Sequence, residues 1–265
     1  EAGDYPIYVG NSVRTAENVG NYHVEQLQLV EQLSEANAVE QGFSRMVNVN
    51  GTIGYEPVPT VTVDLHDHIE GAFPKAVTTN VKETIHLTEV YEGKYALDDF
   101  VAQLSFEELE ALSRGDYEMR SSLGAAGNAA VFGGTSKSLR DKGVATVTTN
   151  DGPSGIRQAA SASLIPIGTC LSGTWNDALI RELYALLGKE MLLNESDVLL
   201  APGMNIQRDP LCGRNFEYFS EDPYLAGELS KSYIEGLQDK GVGATLKHFC
   251  LNNREYNRKK YKSNR

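Results

Sequence analysis

Residues 143–149 read GVATVTT, a run of apolar and β-branched residues that ends two positions before the acidic turn Asp151-Gly152-Pro153. A short apolar run bounded by turn residues predicts a strand buried on both faces. The same pattern returns twice, as DVLLAP at 197–202 and GATL at 243–246. Helical signals separate the three runs. The spacing of Thr174 and Asp177 predicts a helix start, followed by an apolar face at Ala178, Leu179, Leu183, Leu186, Leu187 and Met191. Pro223 suits the first turn of a second helix, running to about Gly241. Strands alternating with helices predict an α/β fold with a parallel sheet and right-handed crossovers.

Polar residues collect where each strand ends. Asp151 follows the first run, a loop centred on Arg214 follows the second, and Lys247-His248 follow the third. In parallel α/β folds the C-terminal edge of the sheet is where ligands bind. The loop after the second strand, GRNFEYFSEDP (213–223), places Arg214, three aromatics and three acids within eleven residues. Its aromatics are expected to pack behind Arg214, and Glu217, Glu221 and Asp222 to cap the following helix.

Upstream, LDDFVAQLSFEELEALSRG (97–115) predicts two short helices, the second capped by Ser105 with Glu108 and stopped by Gly115. Residues 34–93 are punctuated by Pro57, Pro59 and Pro74 and read as a connector, with one alternating run at 60–65. His66 and His68 would share one side of that strand, but without an evident third metal ligand. Residues 1–33 read as the tail of a β domain, with strands at 5–10 and 22–30 about a turn at 19–21.

A formal charge of −12 over 265 residues argues against nucleic acid or an anionic membrane as partner. No run of 18 apolar residues is present, and no signal-peptide pattern opens the sequence. Cys170, Cys212 and Cys250 lack CxxC spacing and read as reduced, buried thiols; with the acidic charge balance they point to the cytoplasm. Trp175 reads as a packing residue.

Three long motifs, DGPSGIR (151–157), APGMNIQRDPLCGRNFEYFSEDPYLAG (201–227) and KHFCLNNREYNR (247–258), resemble the β-glucosidase branch of glycoside hydrolase family 3. GDYPIYVGNSV (3–13) is similar to the end of that family's fibronectin type III-like module, and its position resembles members with reversed domain order. The resemblance implies a partial (β/α)8 barrel over residues 94–265, preceded by the end of a fibronectin type III-like β-sandwich (1–33) and the connector (34–93). It implies retaining hydrolysis of β-glucosides or cello-oligosaccharides without metal or organic cofactor. Asp151 would accept hydrogen bonds from sugar hydroxyls, and Arg157, Arg214, Lys247, His248 and Arg258 would surround the same sugar.

The family's nucleophilic aspartate and acid/base glutamate have no counterpart in these 265 residues, so both are expected outside them and this polypeptide alone is expected to be inactive. Half a barrel also leaves parallel strand edges unpaired, which leaves a homo-oligomer open. KHF is followed by CLNNRE rather than a Pro-Gly-His-Gly loop, which sets aside the β-N-acetylhexosaminidase branch. DGPSGIR favours glucosidase over β-xylosidase, and a non-catalytic carbohydrate-binding barrel is the reading from another class.

Overall fold

The computed structural model describes residues 2–31, 41–59, 64–116, 118–250 and 252–255. The chain divides into two compact units, Glu1–Ala76 and Val77–Arg265. Among the described residues no helix is long and apolar enough to cross a membrane.

Among its described residues the first unit has two antiparallel hairpins. Strands β1 (Gly3–Val9) and β2 (Glu17–Val24) pair with Tyr5 opposite Tyr22, and their register slips between Ile7 and Tyr8. The turn therefore lies at 10–16, and the expected turn residues 19–21 sit inside β2. The second hairpin, β3 (Ser44–Val49) with β4 (Thr52–Pro57), falls where the sequence reads as a connector. Its loop is Asn50-Gly51 with φ of 50° and 84°, the left-handed pair that a two-residue hairpin requires. Residues 60–63 of the expected strand at 60–65 lie outside the described residues. Leu65 opens a short helix, α1 (Leu65–Gly71), so the His66 segment is helical, with His66 Nε2 3.6 Å from Glu70 one turn on.

The second unit begins with α2 (Leu87–Tyr91), α3 (Leu97–Ala102) and α4 (Phe106–Arg114). The capping box forms as expected: Ser105 Oγ accepts from the Glu108 backbone N–H, and Glu108 accepts from that of Ser105. The Glu108 carboxylate is buried and also receives Lys142 and the Ser138 hydroxyl, tying α4 to α5 (Lys137–Asp141). Ile85, Phe100, Leu104, Ala111, Leu139 and Val144 make a small core around these helices.

A four-stranded sheet positions the polar residues. Its order is β5 (Ala130–Gly133), β6 (Thr146–Asp151), β7 (Val198–Leu200), β8 (Gly243–Ala244). Strands β6, β7 and β8 are parallel, as the alternation predicts, and β5 is an antiparallel edge strand that it does not. Asp151 stands level with Leu200, and Leu199 with Ala244. The loops after all three parallel strands therefore leave one sheet edge.

Short α6 (Gly168–Ser172) leads into α7 (Asp177–Leu193), which packs with α8 (Pro223–Gln238) over the main core. Asn176, not Thr174, caps α7, accepting from the Leu179 N–H. The buried face of α7 is Ile180, Tyr184, Leu187 and Met191, while Leu179 and Leu186 are exposed. The stripe is rotated because Tyr184 stacks on Tyr233 of α8 with ring centroids 3.4 Å apart. Gly236 lets the two helices meet, since a Cβ there would lie 2.4 Å from the Arg181 carbonyl oxygen. Trp175 is exposed with a φ of 52°, contrary to its reading as a packing residue. Of the cysteines only Cys212 is buried.

Candidate active site

The end of β6 delivers Asp151 into a tight turn. Gly152 has a φ of 145°, and a Cβ there would sit 1.9 Å from the Gly155 carbonyl oxygen, so the turn needs glycine. The turn folds back so that the Arg157 N–H donates to the Asp151 carbonyl oxygen at 2.8 Å. Below it, the wholly buried Asn150 donates to the Arg157 carbonyl oxygen and accepts from Ser196 Oγ. Tyr184 OH reaches the Pro153 carbonyl oxygen at 3.4 Å.

The Asp151 carboxylate takes one cation on each oxygen. Lys247 Nζ donates to Oδ1 at 2.9 Å, and Arg157 Nη1 donates to Oδ2 at 3.0 Å. Burial opposes ionisation of Asp151, but the Lys247 hydrogen bond and the two cations outweigh it and hold its pKa below the ordinary value. Lys247 is itself well buried, with Glu217 Oε2 3.6 Å from its ammonium. Glu217 is buried more deeply still, and its other oxygen pairs with Arg214 Nε. Arg214 has a raised pKa because, although burial disfavours its charge, the Glu217 pair more than compensates.

The result is an alternating row, Arg157–Asp151–Lys247–Glu217–Arg214, drawn from three strand ends. Four of its members are anticipated by sequence, and Glu217 is misassigned there. Instead of capping α8, Glu217 lies in a 3-10 turn (Asn215–Glu217) between the two cations. The cap is Asp222, which accepts from the Tyr224 N–H at 2.9 Å. Tyr218 and Phe219 are buried behind the loop as expected, whereas Phe216 is about half exposed. Gln207 Nε2 and Thr169 Oγ1 hold the loop's carbonyl oxygens at Asn215 and Tyr218.

His248 sits beside this row. Its backbone is gripped on both sides by Asn205, whose Oδ1 accepts from the His248 N–H at 2.7 Å while Nδ2 donates to its carbonyl oxygen at 3.3 Å. Burial, then the Arg214 and Lys247 charges, push the imidazole pKa below its ordinary value. Its Nδ1 lies 3.0 Å from Tyr218 OH, which receives Asn252 Nδ2 at 2.8 Å. Asn205, Gln207 and Asn252 carry no separate sequence signal beyond lying in the two long motifs. Arg258 lies outside the described residues.

On the Arg157 side, Asp151 and Arg157 line a cleft of about 430 Å³ with Met119, Arg120, Asn128 and Gln158. That volume is in the range of small-molecule sites. Its polar equipment is one acceptor-only carboxylate among several donors, which suits a neutral polyhydroxylated ligand. Among the described residues no cluster of three or more His, Cys, Asp or Glu is arranged to hold a metal ion.

Residues 128–254 match the model of the glycosyl hydrolase family 3 N-terminal domain. The chain is 43% identical to a β-glucosidase of Ruminococcus albus over 97% of its own length, and spans 27% of that protein. The structure of a β-glucosidase from Paenibacillus barengoltzii superimposes with a TM-score of 0.84 at 44% identity, covering 96% of this chain and 29% of that one. β-Glucosidase 3B from Thermotoga neapolitana, solved in complex with α-D-glucose, matches 59% of this chain and 23% of its own at a TM-score of 0.53 and 38% identity.

Proposed function

We propose, from the match of residues 128–254 to the model of the glycosyl hydrolase family 3 N-terminal domain, that the protein is a β-glucosidase, releasing terminal non-reducing β-D-glucosyl residues with retention of configuration. The observation that carries this reading is the Asp151 carboxylate held between Lys247 and Arg157 at the shared strand edge. A carboxylate offers about four acceptor sites, so acceptor capacity remains for sugar hydroxyls after both cations are served. Lys247, His248, Arg157 and Arg214 then supply donors around the same ring, with Arg258 as the sixth member. Hydrogen bonds to charged groups of this kind contribute about 1.5–3 kcal/mol each.

In this reading the present residues bind and orient the glycone. The nucleophilic aspartate and the acid/base glutamate come from chain beyond these 265 residues, in keeping with the 27% span of the Ruminococcus relative. Strands β6–β8 with α7 and α8 are the opening units of a (β/α)8 barrel within residues 94–265. The β1–β2 hairpin is the end of a fibronectin type III-like module at 1–33, and residues 34–93 connect the two. Substrates are β-glucosides and cello-oligosaccharides, and neither a metal nor an organic cofactor is required.

The test is Asp151→Asn in the full-length protein, assayed on p-nitrophenyl β-D-glucoside and cellobiose with the product anomer followed by NMR. Loss of two charged hydrogen bonds predicts a fall in kcat/KM of at least about 100-fold. Wild-type activity in the variant, or initial release of the α-anomer by wild type, would defeat the proposal.

A further inference from the structure

Tyr218 is completely buried, and among the described residues its phenol oxygen has two hydrogen-bond partners, Asn252 Nδ2 and His248 Nδ1. An amide nitrogen only donates. The orientation of the Asn252 amide is fixed by Glu255, whose carboxylate accepts from the same Nδ2 at 3.2 Å. The phenol therefore accepts from Asn252, and its own proton must go to the remaining partner. Burial raises the phenol pKa, so that proton stays in place.

Directionality now runs one way, from Asn252 through Tyr218 OH to His248 Nδ1. Nδ1 accepts, so the ring proton sits on Nε2. The charged neighbours agree with a neutral ring. Arg214 and Lys247 oppose a further positive charge, Glu217 and Glu255 favour one, and burial adds to the opposing side. The Asn205 clasp on the His248 backbone fixes where the ring starts.

We propose that Tyr218, directed by Asn252, is a positioning residue that holds His248 as a neutral Nε2–H donor toward a hydroxyl oxygen of the glycone. The identity of that ligand rests on the β-glucosidase reading, whereas the tautomer does not. The consequence is a complementary pair: Asp151 only accepts and His248 only donates. A single hydroxyl, which donates once and accepts twice, satisfies both kinds of partner, whereas a charged amine in its place meets a donor it cannot accept from.

The experiment uses the full-length protein labelled with 15N-histidine, with the His248 signals assigned by difference from His248→Gln. Long-range 15N–1H spectra report which ring nitrogen carries the proton. Wild type should show His248 with Nδ1 bare and Nε2 protonated at neutral pH, and Tyr218→Phe should lose that fixed pattern. In the same variant kcat/KM on p-nitrophenyl β-D-glucoside should fall about tenfold, the loss expected for one misdirected hydrogen bond. The imidazole should also titrate at higher pH than in wild type.

A wild-type ring protonated on Nδ1 overturns the proposal, and this arm stands even if Tyr218→Phe does not fold. An unchanged tautomer in a folded Tyr218→Phe protein, or a changed tautomer with unchanged kcat/KM, overturns the positioning role. Absence of β-glucosidase activity in wild type, with the Nε2–H tautomer present, instead defeats the ligand assignment alone.

Discussion

Glu217→Gln is the sharpest perturbation of the charge row. Glu217 is among the most buried charged residues of the described chain and stands between two cations, Arg214 in direct contact and Lys247 at 3.6 Å. With an effective dielectric near 20, a unit pair at that separation attracts by about 4–5 kcal/mol before desolvation is charged against it. Lys247 keeps Asp151 at 2.9 Å in the variant, and the neutral amide is cheaper to bury. Both effects reduce the loss. Removing one partner from a buried pair nevertheless leaves Arg214 without its counter-charge, and net costs of about 3–5 kcal/mol are typical. The expected outcome is a loss of about 3 kcal/mol in urea unfolding of the full-length protein at pH 7. A fall in kcat/KM of about 100-fold should accompany it, as Arg214, without the Glu217 charge, shifts off its position. Glu221→Gln, four residues on and exposed, is the control and should change stability by less than about 0.5 kcal/mol. A Glu217→Gln protein as stable and active as that control would refute the view that this glutamate organises the site.

Two further outcomes follow from packing and pH. Burial resists ionisation of Glu108, but Lys142, the Ser105 N–H and the Ser138 hydroxyl together bring its pKa from 4.5 down to about 2. A depressed folded-state pKa gives stability that is present above 4.5 and lost as the pH falls toward 2. About 3 kcal/mol is at stake, and urea midpoints of Glu108→Gln should fall less than wild type across that window; parallel curves would contradict the assignment. Gly236→Ala should destabilise by about 1–3 kcal/mol, because its methyl meets the Arg181 carbonyl at 2.4 Å. If helix propensity, worth about 1 kcal/mol in the other direction, were the larger effect, the variant would melt higher.

What could be read from sequence and what could not divides along the range of the interaction. The Ser105–Glu108 capping box is complete within four residues, and it forms as read. The parallel strands were legible because burial on both faces leaves an uninterrupted apolar run. Strand β5 carries only four residues, AVFG, and owes its state to pairing with β6 some 16 residues on, which no local pattern announces. The α7 stripe is displaced because Tyr184 reads as amphipathic, yet it is held inside by Tyr233, 49 positions away. Asn50-Gly51 is a different case. The hairpin signal was present between two alternating runs, and the surrounding prolines masked it.

The site shows the same division, and it explains why the role of Glu217 is not legible in the sequence while the positions of Asp151, Arg214 and Lys247 are. Asp151, Arg214 and Lys247 are marked because each follows a strand that can be recognised one at a time. The role of Glu217 depends on a fact about two strands together, that the loop after β7 reaches Lys247 after β8. Parallel register supplies that fact: Gly203 bridges both Tyr218 and Lys247, placing the residue before Tyr218 next to the ammonium. With two carboxylates among three cations, neighbouring charges alternate in sign. Each acid thereby stabilises two basic groups, and the row ends in an arginine on both sides. A neutral polyol meeting such a row finds donors that are each already paired with a carboxylate fixed in the fold. Binding then requires little rearrangement of charge, and the cost of assembling the row falls on folding rather than on recognition.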